Sequence, residues 1–130
     1  MTIAEEINEL YKSLKQELDR TPEGLLAELD YRCQWLARSS EILADCQLIL
    51  DKRSGEEAEK FIGSEDGWNV VKILIASRVR EEAKLVHLAE RLNATICHQI
   101  DAVRSILSFE KESMRNSQWN SPSEKRPSTS

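Results

Sequence analysis

NVVKILIAS, residues 69–77, is the stretch of this chain that reads as a strand as readily as a helix. Valine and isoleucine favour the pleated surface of a sheet. A strand needs a ladder partner, however, and no other segment here alternates with a period of two. The stretch is therefore read as helix, and with it the fold becomes all-α.

The sequence downstream supports that choice. After Gly67 no glycine or proline occurs until residue 115 is passed. Ile75, Val79, Val86, Ala89, Ile96, Ile100, Val103 and Leu107 share one heptad-like seam, with Glu82 and Asn93 in its two polar slots. Leu74, Leu85, Leu88 and Leu92 form a second stripe. One helix of about 48 residues, on the order of 70 Å long, is expected over 65–115, with Ser64 as its cap.

Upstream, Ile3, Ile7, Leu10, Leu14 and Leu18 recur at helical steps, so a first short helix is predicted over 3–18. Thr21-Pro22 supplies an N-cap and a first-turn proline for a second helix. Its apolar positions are Leu26, Leu29, Cys33, Leu36, Leu43 and Leu50, interrupted by Ser40 and Gln47. Trp35, Ile42, Cys46 and Ile49 adjoin them, and the helix should end near Lys52. Ser54-Gly55-Glu56-Glu57 fits a capping box and predicts a short helix over 56–62, closed by Gly63. From Asn116 the text turns to serine, asparagine and proline, NSQWNSPSEKRPSTS, which reads as a disordered tail.

The expected architecture is an elongated antiparallel bundle: two long helices, a short N-terminal helix and a short connecting helix, in one domain over 1–115. The second helix spans on the order of 45 Å and cannot cover the longest one. The seam Ile75, Val79, Val86, Asn93, Ile96, Ile100, Val103 and Leu107 is therefore expected to face a second copy of the chain, with Asn93 setting register.

Composition sets further bounds. In 130 residues the net charge is −5, divided as −8 over residues 1–66 (16 acidic, 8 basic) and +3 over 67–130 (7 acidic, 10 basic). Overall acidity argues against nonspecific coating of nucleic acid. The opening MTIAEEINEL lacks a basic region followed by an apolar run, and no apolar stretch approaches the roughly 20 residues of a membrane span. Cys33, Cys46 and Cys97 are odd in number and far apart, as expected of reduced thiols in a cytoplasmic protein.

Chemical motifs are scarce. LNATICHQI, residues 92–100, contains a glycosylation sequon and a Cys97-His98 pair. Neighbouring residues on a helix point about 100° apart, so this pair cannot ligate one metal. His87 with Glu90 and His98 with Asp101 lie about 16 Å apart along the axis, too far for one site. Glu5-Glu6-Ile7-Asn8-Glu9 resembles half of the magnesium motif of the all-helical nucleotide pyrophosphohydrolases. The E-x-x-D half is missing, since Glu41 and Asp45 are four apart, so the resemblance does not carry that activity. Phosphate loops and nucleophile elbows are absent. No cofactor and no catalytic residue are expected.

Two features remain. Arg80, Lys84, His87 and Arg91 step along one face, suited to phosphate contact but interleaved with Glu81, Glu82 and Glu90; Arg78–Glu82 forms an i,i+4 pair. Trp119 in the polar tail is a possible anchor. The sequence thus points to a non-enzymatic protein–protein interaction module: an adaptor, accessory subunit or inhibitor in a larger assembly, expected to form a homo-oligomer, a dimer or higher, and to bind a further protein partner. The alternatives are a nucleic-acid-associated accessory protein using the basic face, or an acidic decoy of a nucleic-acid-binding partner.

Overall fold

The computed structural model describes the backbone of residues 1–119 and the side chains of residues 1–116. Four helices follow one another: α1 (Ile3–Leu14), α2 (Pro22–Glu59), α3 (Trp68–Arg78) and α4 (Arg80–Trp119). The fold is all-α, as the sequence requires, and NVVKILIAS lies in α3.

α1 opens with a complete capping box, Thr2 Oγ1 accepting from the Glu5 amide and Glu5 accepting from the Thr2 amide. It stops at Leu14, short of the expected Leu18. The reason is tertiary: the Gln99 amide nitrogen of α4 donates to the Leu14 carbonyl at 3.2 Å and satisfies an end-of-helix acceptor.

α2 begins as predicted, with Thr21 Oγ1 accepting from Gly24 N at 3.0 Å and Pro22 in the first turn. It does not stop near Lys52. Ser54 and Gly55 lie inside a 38-residue helix; of the predicted helix over 56–62, residues 56–59 are its last turn and 60–62 belong to the turn that follows. The capping-box reading fails because Glu57 reaches side chains of its own helix, Arg53 and Lys60, rather than a backbone amide. Gly63, at φ 82°, closes the turn that follows, as expected of a residue in the left-handed region. Ser64 is occupied with Asp66, so Gly67 is the N-cap of α3.

The predicted single helix over 65–115 is two helices. At Val79 (φ −106°, ψ 21°) the backbone leaves the helical region, while Val79 N still donates to Ile75 O and Ala83 N to Val79 O. The break allows α3 to lean on the end of α2 while α4 keeps its seam. α4 continues through Trp119, past the expected boundary at 115. The side chain of Trp119 and the rest of the expected tail, 120–130, lie outside the described residues.

α2 and α4 form an antiparallel hairpin. Side-chain bonds join Arg32 to Gln99, Ser39 to Asn93 and Arg53 to Glu82, so numbering falls on α4 as it rises on α2. At 38 and 40 residues the two helices are matched in length, at roughly 60 Å each. α1 lies against both, Glu6 pairing with Arg38 near its start and Leu14 meeting Gln99 at its end.

This matching corrects the oligomer seam. Val79, Val86, Ile96, Ile100, Val103 and Leu107 are buried within one chain, and Ile75 is half-buried. Ile7, Leu14, Ile42 and Cys46 pack with Val86, Ala89, Leu92, Ile96 and Ile100. Leu25 packs with Val103 and Leu107, Leu18 closing over them. Asn93 donates to Ser40 Oγ at 3.1 Å and to Ser39 Oγ at 3.4 Å, an internal contact rather than one with a second copy. The length mismatch that called for a second copy came from ending α2 too early and failing to break the last helix.

Of the expected α2 seam, Leu29, Leu36, Leu43 and Leu50 do pack against the core, but the row through Leu26 and Cys33 is displaced by one residue. Leu26 and Cys33 are exposed, whereas Leu25, Arg32, Ser39 and Cys46 are buried. Positions 25, 32, 39, 46 and 53 form a heptad row that reads Leu, Arg, Ser, Cys, Arg. Three of its five rungs are polar, and each polar rung meets a polar partner on α4. No buried side-chain nitrogen or oxygen among the described residues lacks a hydrogen bond.

Candidate functional site

The end of the hairpin where α2, α3 and α4 meet carries the features that the core does not absorb. It is fastened by Glu57, which is almost fully buried. Glu57 Oε1 accepts from Lys60 Nζ at 2.9 Å and Arg53 Nη1 at 3.1 Å, and Oε2 from Arg78 Nη1 at 3.2 Å. Arg53 Nε continues to Glu82 Oε1 at 3.2 Å, and the Arg78 guanidinium lies 5.1 Å from the centre of the Phe61 ring. The Lys60 hydrogen bond, joined by those from Arg78 and Arg53, outweighs burial and holds the Glu57 carboxyl down at about 2. Arg78 and Glu82 are thus engaged with α2, and not with each other as their i,i+4 spacing suggested.

Beside this knot, α3 is apolar on more than one face. Val71 is buried and Leu74 and Ile75 half-buried, which leaves Trp68, Val70 and Ile73 outside. Ile73 is 70 % exposed and Trp68 67 %; Ile62, just before the turn, is 82 % exposed. A helix apolar all round has more surface than one neighbour can cover.

Two grooves meet here. The first, of about 560 Å³, is walled by Leu50, Trp68, Ile75 and Val79 and floored by the small residues Ser54, Gly55, Ala58, Ala76 and Ala83, with Asp51 and Lys72 at its edge. Gly55 has nothing within 4 Å of where a Cβ would stand, so its place inside α2 leaves open space on that side. The second groove, of about 500 Å³, is lined by Ala76, Arg80, Ala83, Lys84, His87, Leu88 and Arg91. Ala76 and Ala83 belong to both.

All four residues expected to contact phosphate therefore line one groove. Arg80, Lys84 and Arg91 are exposed and enter no ion pair among the described residues; His87 Nδ1 lies 3.8 Å from Glu90. Arg32, Arg38, Arg53 and Arg78, in contrast, are each spent on carboxylates.

The other sequence candidates resolve into structure. Glu5 closes the α1 cap, Glu6 pairs with Arg38, whose hydrogen bond lowers its pKa, and Glu9 pairs with Lys12. In LNATICHQI, Thr95 donates to the Arg91 carbonyl at 2.8 Å, Cys97 Sγ lies 4.0 Å from Asn93 Oδ1, and His98 is exposed. Burial, assisted by Asp45, raises the Cys46 thiol, the opposite of activation. Among the described residues no group of three or more His, Cys, Asp or Glu is placed to hold a metal, and no helix is long and apolar enough to cross a membrane.

Sequence reasoning missed Glu57, Arg32 and the outward face of α3. A signal existed for the first two: Arg32 shares a heptad phase with Leu25 and Cys46, and Glu57 with Leu29, Leu36, Leu43 and Leu50. For α3 the signal was the density of apolar residues over 68–75, too many for one face. Compared with protein-family models, curated proteins and solved structures, the chain finds no match in any of the three.

Proposed function

We propose that this chain is a non-enzymatic protein–protein interaction module whose working surface is the α3 end of the hairpin. One observation carries the reading. Ile62, Trp68, Val70 and Ile73 are exposed within twelve residues, near a groove lined by small residues, while no buried side-chain nitrogen or oxygen among the described residues lacks a partner. Exposed apolar patches beside grooves are a mark of interaction sites, and tryptophan is a frequent anchor there. The carboxylates that suggested catalysis already serve caps and ion pairs. Three free thiols fit a reducing compartment such as the cytoplasm.

A photo-crosslinking amino acid at position 73, introduced in the cell that makes the protein, tests the reading. A discrete adduct is expected at 73 and none at Ala27, an exposed position near the other end of α2. An adduct of twice the chain mass identifies a second copy, and any other mass a different protein. No adduct at 73, or equal labelling at both positions, overturns the proposal.

A further inference from the structure

The module reading leaves the partner unspecified, but the two grooves constrain its chemistry. Apolar walls at Leu50, Trp68, Ile75 and Val79 give way, across Ala76 and Ala83, to the row Arg80, Lys84, His87 and Arg91. Arg80, Lys84 and Arg91 face solvent and enter no ion pair among the described residues. We infer that the joined grooves dock an acidic amphipathic helix, with apolar anchors seated against Trp68 and Ile75 and carboxylates along the basic row. This inference rests on the proposed module function.

The dimensions fit. Arg80 to Arg91 is eleven residues, about 16 Å along α4, which three turns of a docked helix match. Such helices anchor through apolar residues at i, i+3 or i+4, and i+7, and carboxylates on the adjoining face would meet Arg80, Lys84 and Arg91.

Other occupants fit less well. A nucleic acid backbone would use the cations but leave the apolar half, walled by Leu50, Trp68, Ile75 and Val79, empty. Aromatic side chains for base stacking are absent from the row. A second copy would offer α1 or α2, but Ile7 and Leu14 of α1 are already in the core, and the exposed Leu26, Tyr31, Leu48 and Ile49 of α2 lack the i, i+3 or i+4, i+7 spacing of anchors. The chain's own residues 117–130 carry one acid and two bases, the wrong sign.

The experiment selects a displayed library of random 20-residue segments on the immobilised full-length chain. Enriched segments should carry net negative charge with apolar residues in helical spacing. A synthetic representative should lose about tenfold or more in affinity between low and high salt. Arg80→Glu with Arg91→Glu should abolish binding with helicity unchanged, and Ala83→Trp should block the groove independently. Lys12→Glu, on α1, should have no effect.

Enrichment of basic or uncharged segments, or of nothing, overturns the inference. So does binding of a DNA duplex that the double variant loses, which would assign the row to nucleic acid. Any of these results together with a crosslink at position 73 leaves the module reading standing. Absence of that crosslink removes the reading itself.

Discussion

Replacing Arg32 tests whether polar rungs hold the hairpin in register. Arg32 is 2 % exposed, yet it sits in the heptad row that faces α4. Its Nε donates to Gln99 Oε1 at 2.9 Å, its Nη1 pairs with Glu28, and its guanidinium lies 5.3 Å from the centre of the Trp35 ring. Gln99 in turn donates to the Leu14 carbonyl, so one rung ties α2, α4 and α1 together. The Gln99 bond involves a charged donor and is worth about 1.5–3 kcal/mol. The Glu28 side chain is 21 % exposed and can turn to water, so its loss adds about 1 kcal/mol or less. Arg32→Ala also removes the buried stem. Its expected cost is about 3–4 kcal/mol, a large part of a typical stability of roughly 5–15 kcal/mol. Arg32→Met keeps an apolar stem and should cost about half as much. Urea unfolding followed by helical circular dichroism measures both, with the denaturant slope unchanged. The cycle with Gln99→Leu should show coupling of about 1 kcal/mol. An Arg32→Ala cost below about 0.5 kcal/mol, or strict additivity with Gln99→Leu, would refute the rung as a structural tie.

Three further outcomes follow from the same structure. Val103→Asp should unfold the chain rather than dissociate an oligomer, because Val103 is 1 % exposed against Leu25; circular dichroism and light scattering together separate the two. Glu57 has its pKa lowered from 4.5 to about 2, so its stabilising effect is complete above the unfolded value and is lost as pH falls toward 2; in Glu57→Gln the fall of stability between about pH 5 and 2 should flatten. Native protein should react rapidly with a thiol reagent at the exposed Cys33 and Cys97 and slowly at the buried Cys46, and three equally fast thiols would contradict the packing.

The sequence made the fold class legible because α4 writes its seam in hydrophobic residues. Val79, Val86, Ala89, Ile96, Ile100, Val103 and Leu107, picked by spacing alone, are all buried. One of the two seam rows of α2 was misread by one residue because the row facing α4 is Leu, Arg, Ser, Cys, Arg, and an apolar criterion passes over a row whose polar members are paired. The two boundary errors have tertiary causes. Ser54 to Glu57 has the letters of a capping box, but Glu57 is drawn into a knot that includes Arg78, twenty-one residues away. Val79 carries no glycine or proline signal, and the break there accompanies the docking of α3 on α2.

The same physics decides which polar residues are structural and which remain available. A charge inside the hairpin is retained only with a partner, because an unpaired buried charge is expensive. Arg32, Arg53 and Glu57 meet that condition, and with Ser39 and Asn93 they can specify one antiparallel register of two helices that an apolar seam alone would let slide. On the outer face of α4 the condition lapses, and Arg80, Lys84 and Arg91 face water with no ion pair among the described residues, near exposed apolar side chains of α3. Spacing placed these three on one face with Ala76 and Ala83, but sequence could not reveal the groove that Leu50, Ser54, Gly55 and Ala58 of α2 form with those alanines beside Trp68. That junction lies across the break at Val79, where α3 meets the end of α2.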